Sequence, residues 1–459
     1  MHDKSNEYYK FDKGVRMINT ILTRRGFLKV ASAVAGSTML TANVAFSEEA
    51  KHTNILFILV DDLGWSDVGC YGSAFYETPN IDRLATEGMR FTDAYAACPV
   101  CSPTRSSIMT GKYPARTDNT EWFGGPQPKG YRRKTILRPA VYKNVMALEE
   151  QTIAETMKEN GYATFFAGKW HLGHKGFWPE KQGFDINKGG HTAGGPYGGK
   201  KYFSPYGNPR LKDGPDGEHL PDRLASETAA FIESKKDKPF LAYLSFYSVH
   251  SPNISRDDLK QKYQKKKKPS DKWGKEGNHK TRLTQSHAVY AGMVEAMDLA
   301  VGKVLNKLKD LGLDKNTTVF FMSDNGGVAT AGGHPTSNMP LRAGKGWLYE
   351  GGIREPMIVR HPGFIRAGTE CSVPVTSTDF YPTILELIGE SAVPQQHMDG
   401  ISLVPLLKGA DALPRKAIYW HYPHYSGGLG GRPSAAIRAN DWKLIEFFED
   451  NHVELYNLK

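Results

Sequence analysis

Asn54-Ile55-Leu56-Phe57-Ile58-Leu59-Val60 runs without a charge into Asp61-Asp62-Leu63-Gly64. Six consecutive apolar side chains leave neither face of a strand for water, the pattern of a parallel strand covered on both sides. Three further runs read the same way: residues 162–167, 240–247 and 318–322. Helical patterns separate them at 81–88 (with Asn80 as the expected N-cap), 151–160 and 223–234, and at 286–311 with Gly312 as its stop. Strand–helix alternation of this kind predicts an α/β fold, a large doubly wound, mostly parallel sheet flanked by helices. Past residue 390 the texture changes to short alternating segments at 417–422, 434–439, 442–448 and 453–458. Turns are expected at Gly430-Gly431, Asn440-Asp441 and Asp450-Asn451. This predicts a smaller C-terminal antiparallel sheet subdomain. The expected organisation is a leader at 1–47, an α/β domain at 48–390 and the small-sheet subdomain at 391–459. The chain stops directly after a predicted strand, as a fragment would.

Composition narrows the class. The chain has 459 residues, 39% of them hydrophobic, with 47 glycines. The mean hydropathy is −0.49. With no apolar run of about 20 residues beyond the N-terminal region, a multi-span membrane protein is excluded. Four cysteines in this length make no disulfide framework. The net charge of +10 is concentrated: residues 1–47 carry +4, residues 256–282 carry +7, and the remainder sums to −1. That distribution is a basic leader plus one loop, not a nucleic-acid footprint, and no nucleic-acid partner is expected.

The leader contains Thr23-Arg24-Arg25-Gly26-Phe27-Leu28-Lys29, then a mildly apolar stretch to Phe46 that is too short and polar to remain as a span. It resembles the twin-arginine export signal. The expected partner is therefore the twin-arginine export machinery, and the expected location periplasmic or extracellular in a bacterium, with no membrane anchor after processing.

In open α/β sheets the reactive groups gather at the carboxyl ends of the strands. All four apolar runs end in such groups: Asp61-Asp62, Lys169-Trp170-His171, His250, and Asp324-Asn325. Asp61, Asp62, Asp324 and Asn325 are hard oxygen donors with no histidine or thiolate among them, a set suited to calcium or magnesium. Carboxylates converging there repel one another unless a cation lies between them. Cys101-Ser102-Pro103-Thr104-Arg105 reads as a helix start, with Pro103 expected at its first position and Cys101 at its positive end.

The spacing Cys-x-Pro-x-Arg resembles the type I, formylglycine-dependent sulfatase signature of the alkaline-phosphatase-like superfamily. Arylsulfatases and N-acetylgalactosamine-6-sulfatases belong to it. Gly168-Lys169-Trp170-His171-Leu172-Gly173 resembles the second signature, and Gly344-Lys345-Gly346 with Tyr349-Glu350-Gly351-Gly352-Ile353-Arg354-Glu355-Pro356 a third block. The resemblance implies that Cys101 becomes formylglycine through a maturation enzyme, and that its hydrate supplies the nucleophile. It implies one calcium ion held by Asp61, Asp62, Asp324, Asn325 and residue 101. Arg105 would fix the hydrate, Lys169 and Lys345 would bind sulfate oxygens, His250 would protonate the leaving alcohol, and His171 would take a proton from the hydrate. A second hydroxyl on the same carbon is what lets sulfate be eliminated, where a serine ester would persist. The implied activity is hydrolysis of a sulfate monoester, with a phosphonate monoester or phosphodiester hydrolase as the alternative. A sulfated carbohydrate is the expected substrate. His191 and His334, on Gly-rich loops, are candidate substrate contacts, and Trp65, Trp122, Trp178 and Trp347 are candidate stacking platforms. Ser251, Thr192 and Ser204 are candidates for a hydroxyl beside the sulfate.

Overall fold

The computed structural model describes residues 53–459, so the expected export leader at 1–47 lies outside the described residues. The decisive run is strand β1 (Asn54–Val60), buried along its whole length. Its side chains alternate between two cores. Leu56, Ile58 and Val60 belong to one cluster, and Ile55, Phe57 and Leu59 to the other, as the two-residue period of a strand requires.

Around β1 lie β2 (Met89–Tyr95), β3 (Ala163–Gly168), β4 (Ile186–Lys188), β5 (Phe240–Ser245), the hairpin strands β6 (Trp273–Glu276) and β7 (His279–Arg282), β8 (Thr317–Ser323), β9 (Arg354–Arg360), β10 (Thr369–Cys371) and β11 (Val375–Thr376). The large sheet runs β10-β2-β9-β8-β1-β5-β3-β4, with β11 also on β2. β1 pairs in parallel with β5 on one side and β8 on the other, and β3 extends the parallel set. Helices α1 (Pro79–Glu87), α4 (Leu220–Ser234), α5 (Asp257–Lys265) and α6 (Ala288–Asp310) contribute to the first core, and α2 (Cys101–Thr110), α3 (Ile153–Glu159) and α7 (Phe380–Leu387) to the second. The doubly wound expectation is met, and all four expected strands are present within a residue or two.

Two local details differ. Helix α1 is capped at Thr78 with Pro79 in its first position. Asn80, the expected cap, is held by Asp298 instead, which takes its backbone N–H at 3.1 Å and its side-chain amide at 2.8 Å. In α2 the first residue is Cys101, so Pro103 stands third. Proline is tolerated there because no N–H of the first turn has an intrahelical acceptor.

Strands β2 and β9 have no counterpart in the sequence reading. β9 is antiparallel to both neighbours and carries Pro356. The β2–β9 register shifts between Phe91 and Ala94, and pairing with β8 ends at Met357. Pro356 thus lies at a bulge on one side and beyond the ladder on the other, where no N–H is required.

The C-terminal sheet is the antiparallel meander β12 (Ile418–Tyr422), β13 (Ser434–Ala439), β14 (Trp442–Phe447) and β15 (Val453–Asn457). Asn440 and Asn451 take left-handed φ of 53° and 56° at its two tight turns. Ile418, Trp420, Tyr422, Ile445 and Phe447 pack on Tyr95, Trp347, Tyr349 and Ile353. Between 391 and 417 the chain still serves the large sheet, since Leu403, Val404, Leu406 and Leu407 lie in the second core.

Gly168 closes β3 against β5 with φ of +104°, and a Cβ there would stand 1.7 Å from the Ser245 carbonyl oxygen. Gly168→Ala is expected to cost about 3 kcal/mol or more, since neither the backbone conformation nor the space admits it. Urea unfolding followed by circular dichroism checks this; an unchanged midpoint contradicts it.

Candidate functional site

Because β1 and β8 are adjacent and parallel, with Val60 level with Ser323, their ends deliver Asp61, Asp62, Asp324 and Asn325 to one place. Asp62 takes a left-handed φ of 61°, which turns the chain directly after the strand. Its N–H donates to Asp324 Oδ1 at 3.2 Å, and its Oδ1 accepts from Asn325 Nδ2 at 2.8 Å. One ligand atom from each of Asp61, Asp62 and Asp324 lies within 4.8 Å of the others. Burial pushes the Asp61 carboxyl up, and the Asp324 and Asp62 carboxylates add to it against the pull of Lys169. Asp61 Oδ1 and Asn325 Oδ1 are buried with no hydrogen-bond partner. Two orphaned oxygens at a focus of negative charge fit a cation, and an all-oxygen donor set fits calcium.

Three cations from three other segments meet the carboxylates. Arg105, in the second turn of α2, donates from Nε to Asp324 Oδ2 at 2.8 Å and from Nη1 to the Lys169 carbonyl (2.8 Å) and Ser245 Oγ (2.7 Å). Its Nη2 lies 3.8 Å from Asp61 Oδ1. Lys169, just past β3, donates from Nζ to Asp61 Oδ2 at 2.7 Å. Lys345 donates to Asp62 Oδ1 from the loop before β9. Burial opposes ionisation of Asp62, yet Lys345, His250 and Lys169 outweigh it and hold that carboxyl well below the usual range.

Cys101 opens α2 at the floor of a cleft of about 560 Å3, only 3% exposed. Its Sγ lies 3.3 Å from His171 Nδ1. His171 Nε2 lies 2.9 Å from the Phe123 carbonyl, so Nε2 carries the hydrogen and Nδ1 presents its lone pair to residue 101. Burial, reinforced by Lys169, keeps His171 neutral. His250 Nε2 faces Asp62 Oδ2 at 3.8 Å, while its Nδ1 donates to the Ser251 carbonyl at 2.7 Å. Burial pushes its pKa down to about 3, Lys345 and Lys169 working the same way and Asp62 against them. The arrangement brings a thiol, two neutral imidazoles and three cations around one acidic focus.

The Sulfatase family profile matches residues 53–390, and the profile of the N-sulphoglucosamine sulphohydrolase C-terminal region matches 343–459. A sulfatase of Formosa agariphila is 33% identical over 92% of this chain and 85% of its own. The N-acetylgalactosamine-6-sulfatase of Canis lupus familiaris is 32% identical over 80% of this chain and 68% of its own. This chain belongs to the sulfatase family. It is a sulfuric ester hydrolase. Among solved structures, Ps i-CgsB in complex with k-i-k-neocarrahexaose aligns with a TM-score of 0.72 and 31% identity, covering 89% of this chain and 86% of that one.

The sulfatase cleft corrects several expected substrate contacts. His191 does not line it: its Nδ1 is turned to Tyr247 Oη and the Gly189 carbonyl, each at 3.1 Å, and its own carbonyl accepts the His171 N–H. His334 is drawn away to the Lys280 carbonyl at 2.7 Å and packs edge-on to Trp273. Of the four tryptophans only Trp122 lines the cleft. Trp65 donates to the Thr92 carbonyl, Trp178 to Thr192 Oγ1 and Trp347 to the Leu429 carbonyl. Thr192 and Ser251 do reach the cleft, whereas Ser204 is buried elsewhere, bonded to the Gly214 carbonyl. Sequence reasoning missed Phe123, Tyr197 and the Ser426–Leu429 loop, all on the cleft wall. None of them carries a motif; a backbone carbonyl such as that of Phe123 leaves no side-chain signal.

Arg105→Met leaves Asp324 and Asp61 buried without their guanidinium and is expected to lower the unfolding free energy by about 3–5 kcal/mol. Arg105→Lys is expected to recover only part of this, because one ammonium cannot reproduce three hydrogen bonds directed from a planar guanidinium. Equal stability of the lysine variant and the parent in urea unfolding contradicts that account.

Proposed function

We propose that this sulfatase hydrolyses a sulfate monoester on a carbohydrate, with residue 101 acting as formylglycine beside one calcium ion. The observation that carries the reading is the pairing of Cys101 with a neutral, tautomer-fixed His171, next to an acidic focus that has two unpartnered oxygens. Asp61, Asp62, Asp324 and Asn325, with residue 101, would hold the ion, which would lower the pKa of a hydroxyl on residue 101. The formylglycine hydrate would supply the attacking oxygen and a second hydroxyl from which sulfate can be eliminated.

The chain's own residues do the rest. Lys169 and Lys345 pair with Asp61 and Asp62. With an ion held by those carboxylates, both ammonium groups would be available to sulfate oxygens, where they stabilise the negative charge that develops. Arg105 anchors the base of α2 against β8 and β3 and so fixes the position of residue 101. His171 Nδ1 accepts a proton from residue 101, a role its Phe123 bond prepares by excluding the other tautomer. His250 is neutral in the free site. The charge of an arriving sulfate ester raises its proton affinity, and its Nε2 then delivers a proton to the leaving alcohol oxygen.

A carbohydrate is favoured by the names of the relatives, an N-acetylgalactosamine-6-sulfatase and a structure holding a carrahexaose, and by a cleft that combines Trp122 and Tyr197 with polar rims. The paired arginines of the leader support twin-arginine export to the periplasm or beyond, and the Cys101 motif implies a formylglycine-generating partner.

Cys101→Ala is expected to lower turnover of an aryl sulfate by about a thousandfold or more while leaving the unfolding curve in place. Mass mapping of the peptide spanning residue 101, from a host able to make the conversion, should show the aldehyde. Full activity with an unaltered thiol overturns the reading. Treatment with a chelator is expected to lower both the melting temperature and the rate, and calcium to restore them; indifference of both removes the metal assignment. Preference for an aryl phosphonate over an aryl sulfate replaces the reaction class.

A further inference from the structure

The loop joining β12 to β13 separates two cavities. Ser426, Gly428 and Leu429 face the catalytic cleft, while Gly427, Gly430 and Gly431 line a second cavity of about 600 Å3. Four of the six residues at 426–431 are glycine, and Ser426 and Leu429 carry the side chains on the cleft side. The loop is pinned rather than loose: Ser426 Oγ donates to the Gly346 carbonyl, and Trp347 Nε1 to the Leu429 carbonyl at 2.9 Å. Gly427 has a left-handed φ of 54°, and a Cβ there would stand 2.8 Å from Arg133 Nη1, so glycine is what lets that guanidinium lie against the loop.

The second cavity is polar, and its charges are unevenly answered. Arg342 is held by Glu276, and Arg432 by Glu449. Arg133 and Lys134, which line the same cavity, have no carboxylate partner among the described residues. They belong to the run Lys129-Gly130-Tyr131-Arg132-Arg133-Lys134-Thr135-Ile136-Leu137-Arg138, which holds five cations and no acidic residue. None of the five forms an ion pair among the described residues. Unanswered cations beside a polar hollow, across one loop from a site for an anionic ester, favour the approach of a polyanion.

We propose that this cavity is a second carbohydrate subsite, which takes an anionic sugar unit of a glycan chain while another unit of that chain presents its sulfate ester in the catalytic cleft. The proposal rests on the carbohydrate sulfatase reading and narrows it to an oligomeric substrate. Arg133 and Lys134 meet a sulfate or carboxylate of the second unit. A monosaccharide or an aryl sulfate fills the first cleft only and gains nothing from the second.

The test uses the full chain with Arg133→Ala and Lys134→Ala combined, neither residue being part of the catalytic machinery. Initial rates are compared on 4-nitrophenyl sulfate, on a sulfated monosaccharide and on carrageenan and chondroitin sulfate hexasaccharides. The expected result is a KM raised about tenfold for the hexasaccharide that the parent prefers, with kcat and the aryl sulfate rate within about twofold, as the loss of two charge contacts remote from the reacting atoms requires. Arg133→Lys should restore most of the loss. An equal loss on aryl sulfate and hexasaccharide, or no loss on any hexasaccharide, overturns the subsite. So does a parent enzyme that turns over the monosaccharide as efficiently as the hexasaccharides, an outcome that leaves the sulfatase reading standing. An equal weakening of binding to a DNA duplex also overturns it, by reducing the patch to a general polyanion surface. A parent that hydrolyses no sulfate ester removes the reading beneath the subsite and the subsite with it.

Discussion

Three carboxylates and three cations share a nearly water-free edge of the large sheet, and their mutual neutralisation is the constraint on which the rest is built. Asp61, Asp62 and Asp324 arrive from two adjacent strand ends, whereas Arg105, Lys169 and Lys345 come from a helix start, a neighbouring strand end and a distant loop. No one segment is stable there alone, because an unanswered charge in a dry site is costly. A divalent cation would leave this centre with an excess of positive charge, and an anionic ester is the group that answers such an excess. The same electrostatic requirement thus bears on folding and on substrate choice.

How much of this was readable beforehand depends on where each group sits. β1, β3, β5 and β8 declare themselves because both faces are buried and the hydrophobic run has no gap. The charged groups that follow them are legible for the same reason: a strand end fixes position to within a residue. β2 and β9 were hidden. Arg90 and Asp93 break the run in one, Pro356 breaks it in the other, and only their mutual bulge makes the pairing possible. Loop residues defeat sequence reasoning differently. His191 and His334 flank the cleft in sequence, but nearby carbonyls hold their rings elsewhere. The cationic run at 129–138 escaped because a regional sum near zero hides it, although none of its five cations forms an ion pair among the described residues.

The small antiparallel sheet is more than an appendage. Its inner face buries Trp420 and Tyr422 against the main body, and its first connection supplies one wall of the catalytic cleft. Tyr422 Oη also donates to Glu121 at 3.0 Å; burial pushes that carboxyl up to about 8. Glu121 in turn accepts the Trp122 N–H, one residue before the carbonyl that orients His171. Tyr422, in the last quarter of the sequence, is therefore linked through Glu121 and the Trp122–Phe123 backbone to His171.

The seating of Cys101 has a consequence for the order of events in the cell. At 3% exposure, beneath Phe123 and His171, its sulfur is open to small solutes but closed to the working surface of another macromolecule. Under the proposed conversion of residue 101, a catalyst would have to grasp the segment while it is still a pliant ribbon. The race between that encounter and collapse of the sheet would then set the yield of converted chain, and a slower-folding variant would gain from the delay.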